Sequence, residues 1–218
     1  MSSYCSSAFT LHGLWPEFEN GGYPQFCKTA NATGPLPPDS AEMRCKWESF
    51  MGANAAFWEH EWVKHGTCAQ PVLGNRPSFF KTVLELDEKY DLDVALSAHD
   101  VTPSDTHSYA AVDLLHAVSA SYGASPVLKC EARSTLVELW MCISLDLQPI
   151  PCPPHVFSTC GATVKLPEGQ PVPATCSKFF PHLGRSTKMA DLVRIAGAGV
   201  AVAAVVTFLA LLVLVFRH

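Results

Sequence analysis

The sequence carries little positive charge. Its 15 lysines and arginines stand against 20 aspartates and glutamates, so the formal net charge at pH 7 is −5. A protein that binds a long polyanion over a broad surface usually has a basic excess. The acidic balance argues against such a surface but leaves room for a short local contact with an anion. The nine histidines would add positive charge at low pH.

The N-terminus lacks the pattern of an export signal. The chain opens Met-Ser-Ser-Tyr-Cys, without the basic and apolar segments of a signal peptide. Nine cysteines nevertheless indicate an oxidising compartment, where disulfides persist. Asn31, in the sequon Asn-Ala-Thr, is a predicted glycosylation site that would be used only there. The cysteine content therefore predicts the secretory pathway.

Long apolar runs are absent except at the C-terminal end, where residues 195–216 contain no charged side chain. About 20 apolar residues span a bilayer, so a transmembrane helix is predicted over 195–216. The Pro-rich and basic residues 168–194 are predicted to form a stalk before it. The polar spacer and small residues ahead of the run also fit a lipid-anchor signal that is cut away. Both alternatives attach the protein to a membrane.

The orientation of that anchor follows from two opposing signals. The basic residues precede the apolar run, which by the positive-inside tendency favours a cytosolic N-terminal side. Disulfides need the opposite side of the membrane. We give the cysteines more weight and predict a lumenal or extracellular domain.

The most informative stretch is residues 57–68, Phe-Trp-Glu-His-Glu-Trp-Val-Lys-His-Gly-Thr-Cys. On a helix at about 100° per residue, four of its polar side chains fall within an arc of roughly 140°. These are His60, Glu61, Lys64 and His65. They would share one face and could line a cleft. The same pattern also describes an amphipathic surface helix with solvated charges.

Trp58 and Trp62 lie four residues apart on this helix and form an apolar stripe that can anchor it. Gly66 is predicted to end the helix. A zinc-peptidase helix needs two histidines at i and i+4, whereas His60 and His65 are five residues apart, about 140° around the helix. The spacing therefore argues against a metal site.

Residues 9–16 read Phe-Thr-Leu-His-Gly-Leu-Trp-Pro, a β-prone run that delivers His12 into a glycine turn. Together with residues 57–68, this segment resembles the two active-site signatures of the ribonuclease T2 family, the secreted acid endoribonucleases. Both motifs match nearly residue for residue and in the family order. The resemblance covers residues 1 to about 167, which are predicted to form one catalytic domain.

The resemblance implies an α+β fold, an antiparallel sheet flanked by helices and stapled by disulfides. The length and hydrophobic content fit one core. Periodicity predicts helices over 77–90 and 106–122, and strands over 127–130 and 136–145.

The family pattern also shows what precedes the first histidine motif: a signal peptide and a first strand with a substrate-side glutamine. Here only eleven residues precede His12. Either the gene product is longer than this chain, or the chain lacks an edge of its core and of its active site. The second alternative would give a catalytically impaired RNA-binding protein on the same fold.

The expected chemistry is cleavage of single-stranded RNA by its own 2′-hydroxyl, which leaves 2′,3′-cyclic phosphate ends. The reaction needs a base and an acid, and two histidines near their reference pKa supply both in mildly acidic solution. The resemblance assigns these roles to His12 and His65, without fixing which is the base. His60 would hold the phosphate, Lys64 would meet the developing negative charge, and Glu61 would orient an imidazole.

This reaction requires no metal and no cofactor, because the nucleophile belongs to the substrate. The 2′-hydroxyl also explains a preference for RNA over DNA. The resemblance further implies that Trp15 and Tyr23 stack on one base and Phe57 on its neighbour. The chain is predicted to act as a monomer, with RNA as its substrate.

The cysteines complete the predictions. By position, the resemblance implies three disulfides: Cys27–Cys68, Cys130–Cys160 and Cys142–Cys152. Cys5, Cys45 and Cys176 are left over, and the odd number of cysteines implies at least one free thiol or a lost partner.

Overall fold

The computed structural model describes residues 7–28, 34–183 and 211–217. The strands in these ranges are β1 (Thr10–Glu17), β2 (Ser108–Ala110), β3 (Val127–Glu131), β4 (Thr135–Ile143), β5 (Thr163–Lys165) and β6 (Leu211–Arg217). The α-helices are α1 (Ala41–Lys46), α2 (Asn54–Glu61), α3 (Thr67–Leu73), α4 (Arg76–Lys89), α5 (Leu92–Ser97) and α6 (Ala111–Tyr122). A π-helical turn spans Trp62–Gly66, and a short 3-10 helix spans Ala174–Phe179.

The strands form one sheet in the order β1-β6-β4-β5-β2, with β3 paired to β4. Every pairing is antiparallel except that of β4 with β5, which is a single parallel pair between Thr135 and Lys165. The predicted α+β class with a largely antiparallel sheet is confirmed.

The predicted helices and strands are largely found where the periodicity placed them. Helix α4 begins one residue earlier than predicted, after Asn75, whose side chain accepts a hydrogen bond from the Ser78 amide and caps the helix. Helix α6 ends at Gly123, whose φ of 80° is the left-handed conformation that glycine adopts easily. The start of α6 was predicted wrongly, because residues 108–110 pair with β5 and the helix begins only at Ala111.

Three buried tryptophans join the motif helix to the sheet. Trp58 Nε1 donates a hydrogen bond of 2.6 Å to the carbonyl of Trp47, and Trp47 Nε1 donates one of 2.9 Å to the carbonyl of His12. Trp62 packs beside them against Phe79, and all three indoles are at most 1% exposed. Burial of these rings with their N–H groups satisfied fixes α2 against β1. The anchoring stripe predicted for Trp58 and Trp62 is therefore present.

The predicted stalk is wrong for residues 168–183, which pack against the domain. The Ser7 amide donates a hydrogen bond to the carbonyl of Gln170, and Cys176 forms a disulfide with Cys45 of α1. His182 lies within 3.3 Å of Asp91 and 3.7 Å of Asp93. Proline content suggested an extended spacer, but a covalent bridge and buried polar contacts hold this segment in place. Residues 184–194 lie outside the described ranges.

Strand β6 is an inner strand of the sheet, between β1 and β4. It pairs along its whole length with β1 and over six residues with β4, and all of its residues are buried. Its alternate side chains enter two apolar clusters on opposite faces of the sheet. Leu212, Leu214 and Phe216 contribute to the main core. Leu211, Val213 and Val215 contribute to a smaller cluster.

The prediction of a membrane helix is wrong for residues 211–216, and residues 195–210 lie outside the described ranges. Within the part of the chain that the structure describes, no helix is both long enough and apolar enough to cross a membrane. A strand buried on both faces is apolar at every position, as a membrane helix is. Composition alone therefore could not separate the two.

Candidate active site

Strand β1 presents His12 at a break in its own register. The pairing of β1 with β6 shifts between Leu11 and Gly13, which leaves His12 at a bulge. Bulges of this kind re-aim a side chain next to a functional site. His12 Nδ1 lies 2.6 Å from Glu138 Oε1, so the carboxylate from β4 orients the imidazole. Glu138 is a site residue that the motif comparison did not identify.

Gly13 is required by the close approach of the helix to β1. A Cβ atom at this position would collide with the carboxylate of Glu61 and the indole nitrogen of Trp15. These two groups are hydrogen-bonded to each other, with Trp15 Nε1 donating to Glu61 Oε2 at 2.8 Å. Only glycine leaves room for a carboxylate to reach across the strand at this point.

The motif helix does not end at Gly66, as the sequence predicted. Residues 62–66 form a π-helical turn, Gly66 has helical angles, and α3 continues to Leu73 before Gly74 with its φ of 78°. A Cβ atom on Gly66 would collide with the indole of Trp62, so this glycine serves packing and not termination.

The π turn also changes where His65 points. Its i→i+5 hydrogen bonds widen the helix, so residues five apart lie closer in angle than they do in an α-helix. His60 and His65 are separated by about 140° on an ideal α-helix, and a π turn over Trp62–Gly66 reduces this angle.

The indole of Trp15 is the centre of the site. The His65 ring stacks on it with a centroid separation of 4.9 Å and an interplanar angle of 20°. The His12 ring meets it edge-on, also at 4.9 Å, with an angle of 74°. The two motif histidines, 53 positions apart in the sequence, therefore flank one indole. Trp140 packs against the same indole at 5.5 Å.

The two imidazoles experience opposite surroundings. Burial and, after it, the charges of Lys64, His60 and His12 lower the pKa of His65 to about 3. His65 therefore favours the neutral form, which can accept a proton. His12, by contrast, is in contact with the carboxylate of Glu138.

The carboxylates differ as well. Burial raises the pKa of Glu61, although the charge of His12 and the hydrogen bond from Trp15 oppose this effect. Burial would also raise the pKa of Glu138, but the hydrogen bond and charge of His12 outweigh it and the pKa is lowered. Glu138 is thus the ionised partner of His12, while Glu61 is a buried acceptor for Trp15.

The remaining predicted residues lie at different distances from this centre. His60 is exposed on α2, but its ring is partly desolvated, and this partial desolvation together with the charge of Lys64 lowers its pKa. The Phe57 ring lies 5.9 Å from the His12 ring and is partly exposed, so it borders the site. Tyr23 is 52% exposed in the loop after β1. Trp15 is largely occupied by its contacts to the two histidines and Glu61, and its base-stacking role remains a prediction.

The three disulfides implied by the resemblance are present: Cys27–Cys68, Cys130–Cys160 and Cys142–Cys152. Two of the remaining cysteines form a fourth bridge, Cys45–Cys176, and Cys5 lies outside the described residues. The predicted glycosylation site Asn31 also lies outside them. The described residues therefore contain no unpaired cysteine.

The Cys27–Cys68 bridge ties the loop after β1 to the end of the π turn. The Phe26 amide donates to the carbonyl of Lys64 at 2.9 Å, and the Cys27 amide donates to Thr67 Oγ1 at 3.1 Å. This loop therefore braces the helix at the residues that carry Lys64 and His65.

Replacing both Cys27 and Cys68 with serine is expected to lower the free energy of unfolding by about 4 kcal/mol, from the entropy of a 41-residue loop. The matched control is the Cys142→Ser/Cys152→Ser pair, whose 10-residue loop predicts about 3 kcal/mol. Urea unfolding measures both. Only the first pair is also expected to lower kcat, and equal kcat values for the two folded variants would contradict a bracing role.

Comparison with known proteins gives the family. The sequence profile of the Ribonuclease T2 family matches residues 2–152. Ribonuclease DdI of Dictyostelium discoideum is 33% identical over 181 residues, which cover 76% of this chain and 79% of that protein. Extracellular ribonuclease LE of Solanum lycopersicum is 32% identical over 174 residues, 73% of each protein.

Solved structures agree with this result. The RNase-related protein from Calystegia sepium is 31% identical with a TM-score of 0.63, covering 73% of this chain and 82% of that one. RNase NT, solved in complex with 5′-AMP, is 29% identical with a TM-score of 0.60, covering 73% and 83%. A His-Trp-His cluster on this fold, together with these similarities, identifies the chain as a member of the ribonuclease T2 family. It is therefore a T2-type ribonuclease, as the two motifs indicated.

Proposed function

We propose that the protein is an endoribonuclease that cleaves single-stranded RNA by attack of the 2′-hydroxyl on the adjacent phosphorus. The products would carry 2′,3′-cyclic phosphate ends, and no metal takes part. The observation that carries this proposal is the contact of both the His12 ring and the His65 ring with the Trp15 indole, each at a centroid separation of 4.9 Å. One imidazole is favoured in its neutral form, and the other is held by a carboxylate.

The electrostatics favour His65 as the base and His12 as the acid. A base must be unprotonated, and burial holds His65 in that form. An acid must donate a proton, and the Glu138 carboxylate, 2.6 Å from Nδ1, holds the His12 ring in one orientation for this role. A bound phosphate brings negative charge near His65, which raises the pKa of this residue from its low value and makes it a better acceptor.

Lys64, and His60 when it is protonated, are the cations that would stabilise the transition state. Negative charge grows on the non-bridging oxygens of the phosphate as the 2′-oxygen attacks. Lys64 lies within the electrostatic reach of both His60 and His65. His60 is exposed on the same helix, where it can donate to a phosphate oxygen when protonated. Glu61 accepts the hydrogen bond from the Trp15 indole and so holds this ring beside the two catalytic imidazoles.

The surroundings of this site fit a short, local grip on RNA. Phe57 and Tyr23 expose ring surface on which bases can stack, and each stacked base contributes roughly 1–3 kcal/mol to binding. A small number of such contacts suits a protein with a net charge of −5. The four disulfides support folding in the secretory pathway, and one relative is named as an extracellular ribonuclease.

Incubation with a single-stranded RNA oligonucleotide in EDTA is expected to release fragments with 2′,3′-cyclic phosphate ends, detected by phosphorus NMR. The matched control is a DNA oligonucleotide of the same sequence, which lacks the nucleophile and is expected to stay intact. Loss of cleavage in EDTA, or equal cleavage of the DNA, would contradict the proposal.

The rate is expected to follow a bell-shaped pH profile with its optimum on the acid side. The rate falls at low pH as His65 becomes protonated, and the lowered pKa of His65 displaces this limb towards acid. At high pH the acid loses its proton and the rate falls again. A single maximum above about pH 8 would be inconsistent with catalysis by two histidines.

A further inference from the structure

Strand β6 brings a cation into the active site. Its last residue, Arg217, lies opposite Glu138 of β4 and opposite Thr10 of β1. Residues directly opposite on neighbouring strands project to the same face of a sheet. The guanidinium of Arg217 therefore lies on the face where Glu138 holds His12. The matched sequence profile ends at residue 152, so β6 lies outside it.

The Arg217 side chain is enclosed by aromatic rings. Its Cζ atom lies 3.8 Å from the centroid of the Phe50 ring and 4.8 Å from that of the Phe57 ring. Phe57 in turn borders His12. Arg217 is 8% exposed, and its Nε and Nη2 atoms are buried without a hydrogen-bond partner among the described residues. A buried cation with unpaired donors is costly unless negative charge nearby offsets it.

That negative charge comes from carboxylates of the site. Burial lowers the pKa of Arg217 to about 10, against the opposing influence of Glu61, Glu48 and Glu138. The guanidinium thus remains protonated at neutral pH. It contributes in return to the lowered pKa of Glu138 and opposes the raised pKa of Glu61.

We propose that Arg217 is a positioning residue, whose charge stabilises the ionised carboxylates of Glu138 and Glu61 and so fixes His12 and Trp15 for catalysis. This inference rests on the proposed function. Without the guanidinium, the remaining stabilisation from His12 and Trp140 would offset less of the burial, so the carboxyl at position 138 would become protonated at a higher pH. A neutral carboxyl binds an imidazolium more weakly than a carboxylate does, so His12 would be less well oriented.

Other charged and polar groups face the same two carboxylates. Glu138 faces His12 from β1 and also interacts with Lys129 of β3, while Trp140 donates to its second oxygen at 2.9 Å. Glu61 faces His12, Lys64 and the Trp15 indole. Arg217 differs from these cations because it lies at the end of the inner strand β6 and is shielded from solvent by two phenylalanines. Its charge therefore acts on the site with little screening.

The test compares Arg217→Gln with Arg217→Lys in the full chain. The glutamine variant is expected to lose about tenfold in kcat with little change in KM. Its acid limb is expected to move to higher pH, because Glu138 would then become protonated at a higher pH than in the wild type and release His12 before His65 is protonated. The lysine variant keeps the charge, so its acid limb is expected to stay at the wild-type position. The matched control is Arg44→Gln, because Arg44 is an exposed arginine paired only with Asp39.

If Arg217 had only a structural role, its substitution would have the same effect whether or not Glu138 is present. Substitution in the Glu138→Gln background is expected to make the Arg217→Gln effect much smaller, because both act through His12. Equal effects in the two backgrounds would overturn the proposal. A rise in KM alone would also overturn it, in favour of a direct contact with RNA.

Carbon NMR titration of the glutamate carboxylates gives a readout that does not depend on activity. In Arg217→Gln, the titration of Glu138 is expected to move to higher pH, and an unchanged titration would refute the inference. If wild type itself does not cleave RNA, the proposed function fails while this titration still decides the role of Arg217. If the glutamine variant does not fold, the lysine variant provides the test. Because lysine keeps the positive charge, an acid limb that lies at a different pH from that of the wild type would refute a role of the charge.

Discussion

Replacing His12 with alanine is expected to lower kcat for RNA cleavage by about 10²–10⁴-fold, the range that general acid catalysis contributes. His65→Ala is expected to have an effect of the same size through loss of the base. The KM is expected to change less, because neither imidazole is the main contact for the bases. Steady-state cleavage of a defined oligonucleotide near the acid optimum measures these effects.

The double variant distinguishes cooperation from independent action. Because proton removal and proton donation serve one reaction, His12→Ala/His65→Ala is expected to be little slower than either single variant. His116→Ala is the matched control, since His116 is exposed on α6 and outside the site. Retention of most of the activity in His12→Ala would contradict the assignment of both rings to catalysis.

Removal of residues 211–218 is expected to abolish cooperative folding and, with it, all cleavage. Strand β6 has alternate side chains in two apolar clusters and pairs with β1 and β4. Its loss would leave β1 without its partner strand, expose the edge of β4 and open a cavity in each cluster. A typical domain is stable by only about 5–15 kcal/mol, which is less than a whole buried strand contributes. Near-UV circular dichroism and urea unfolding provide the measurement.

Point substitutions test the same strand with less disruption. Leu214→Asp places an unpaired charge at a position that is fully buried, at a cost of several kcal/mol. Leu214→Met conserves volume and is expected to cost less than about 1.5 kcal/mol. If the truncated chain or Leu214→Asp keeps the native near-UV spectrum, β6 is not part of the folded core.

The local elements of the fold were predictable because periodicity acts over short distances. The apolar face of α4 and the alternation in β4 each reflect a single core surface, and both were located within a few residues. The same holds for Trp58 and Trp62, which the four-residue spacing placed on one buried stripe. The π turn was missed, because no spacing rule separates it from the α-helix on either side.

The site was predictable only where one short segment contained its residues. His60, Glu61, Lys64 and His65 lie within six positions, so one helix was enough to suggest a common face. Glu138 is 126 positions away from His12, and only the pairing of β4 with β6 and of β6 with β1 brings the two together. A glutamate within an otherwise apolar strand was the one available sign of it. Arg217 had no such sign, because it follows a run that was interpreted as a membrane helix.

The sequence by itself determined the chemistry: two histidine motifs, a lysine and a glutamate on one helix, and cysteines that stabilise the fold. These features depend on residue types and short spacings, which are visible along the chain. Only the tertiary structure decided which carboxylate holds His12. It also decided that the last apolar residues form the inner strand β6, which brings Arg217 to the site. A segment that is apolar on every side satisfies lipid around a helix and protein on both faces of a strand equally well. Its partners in space, and not its own residues, select between the two.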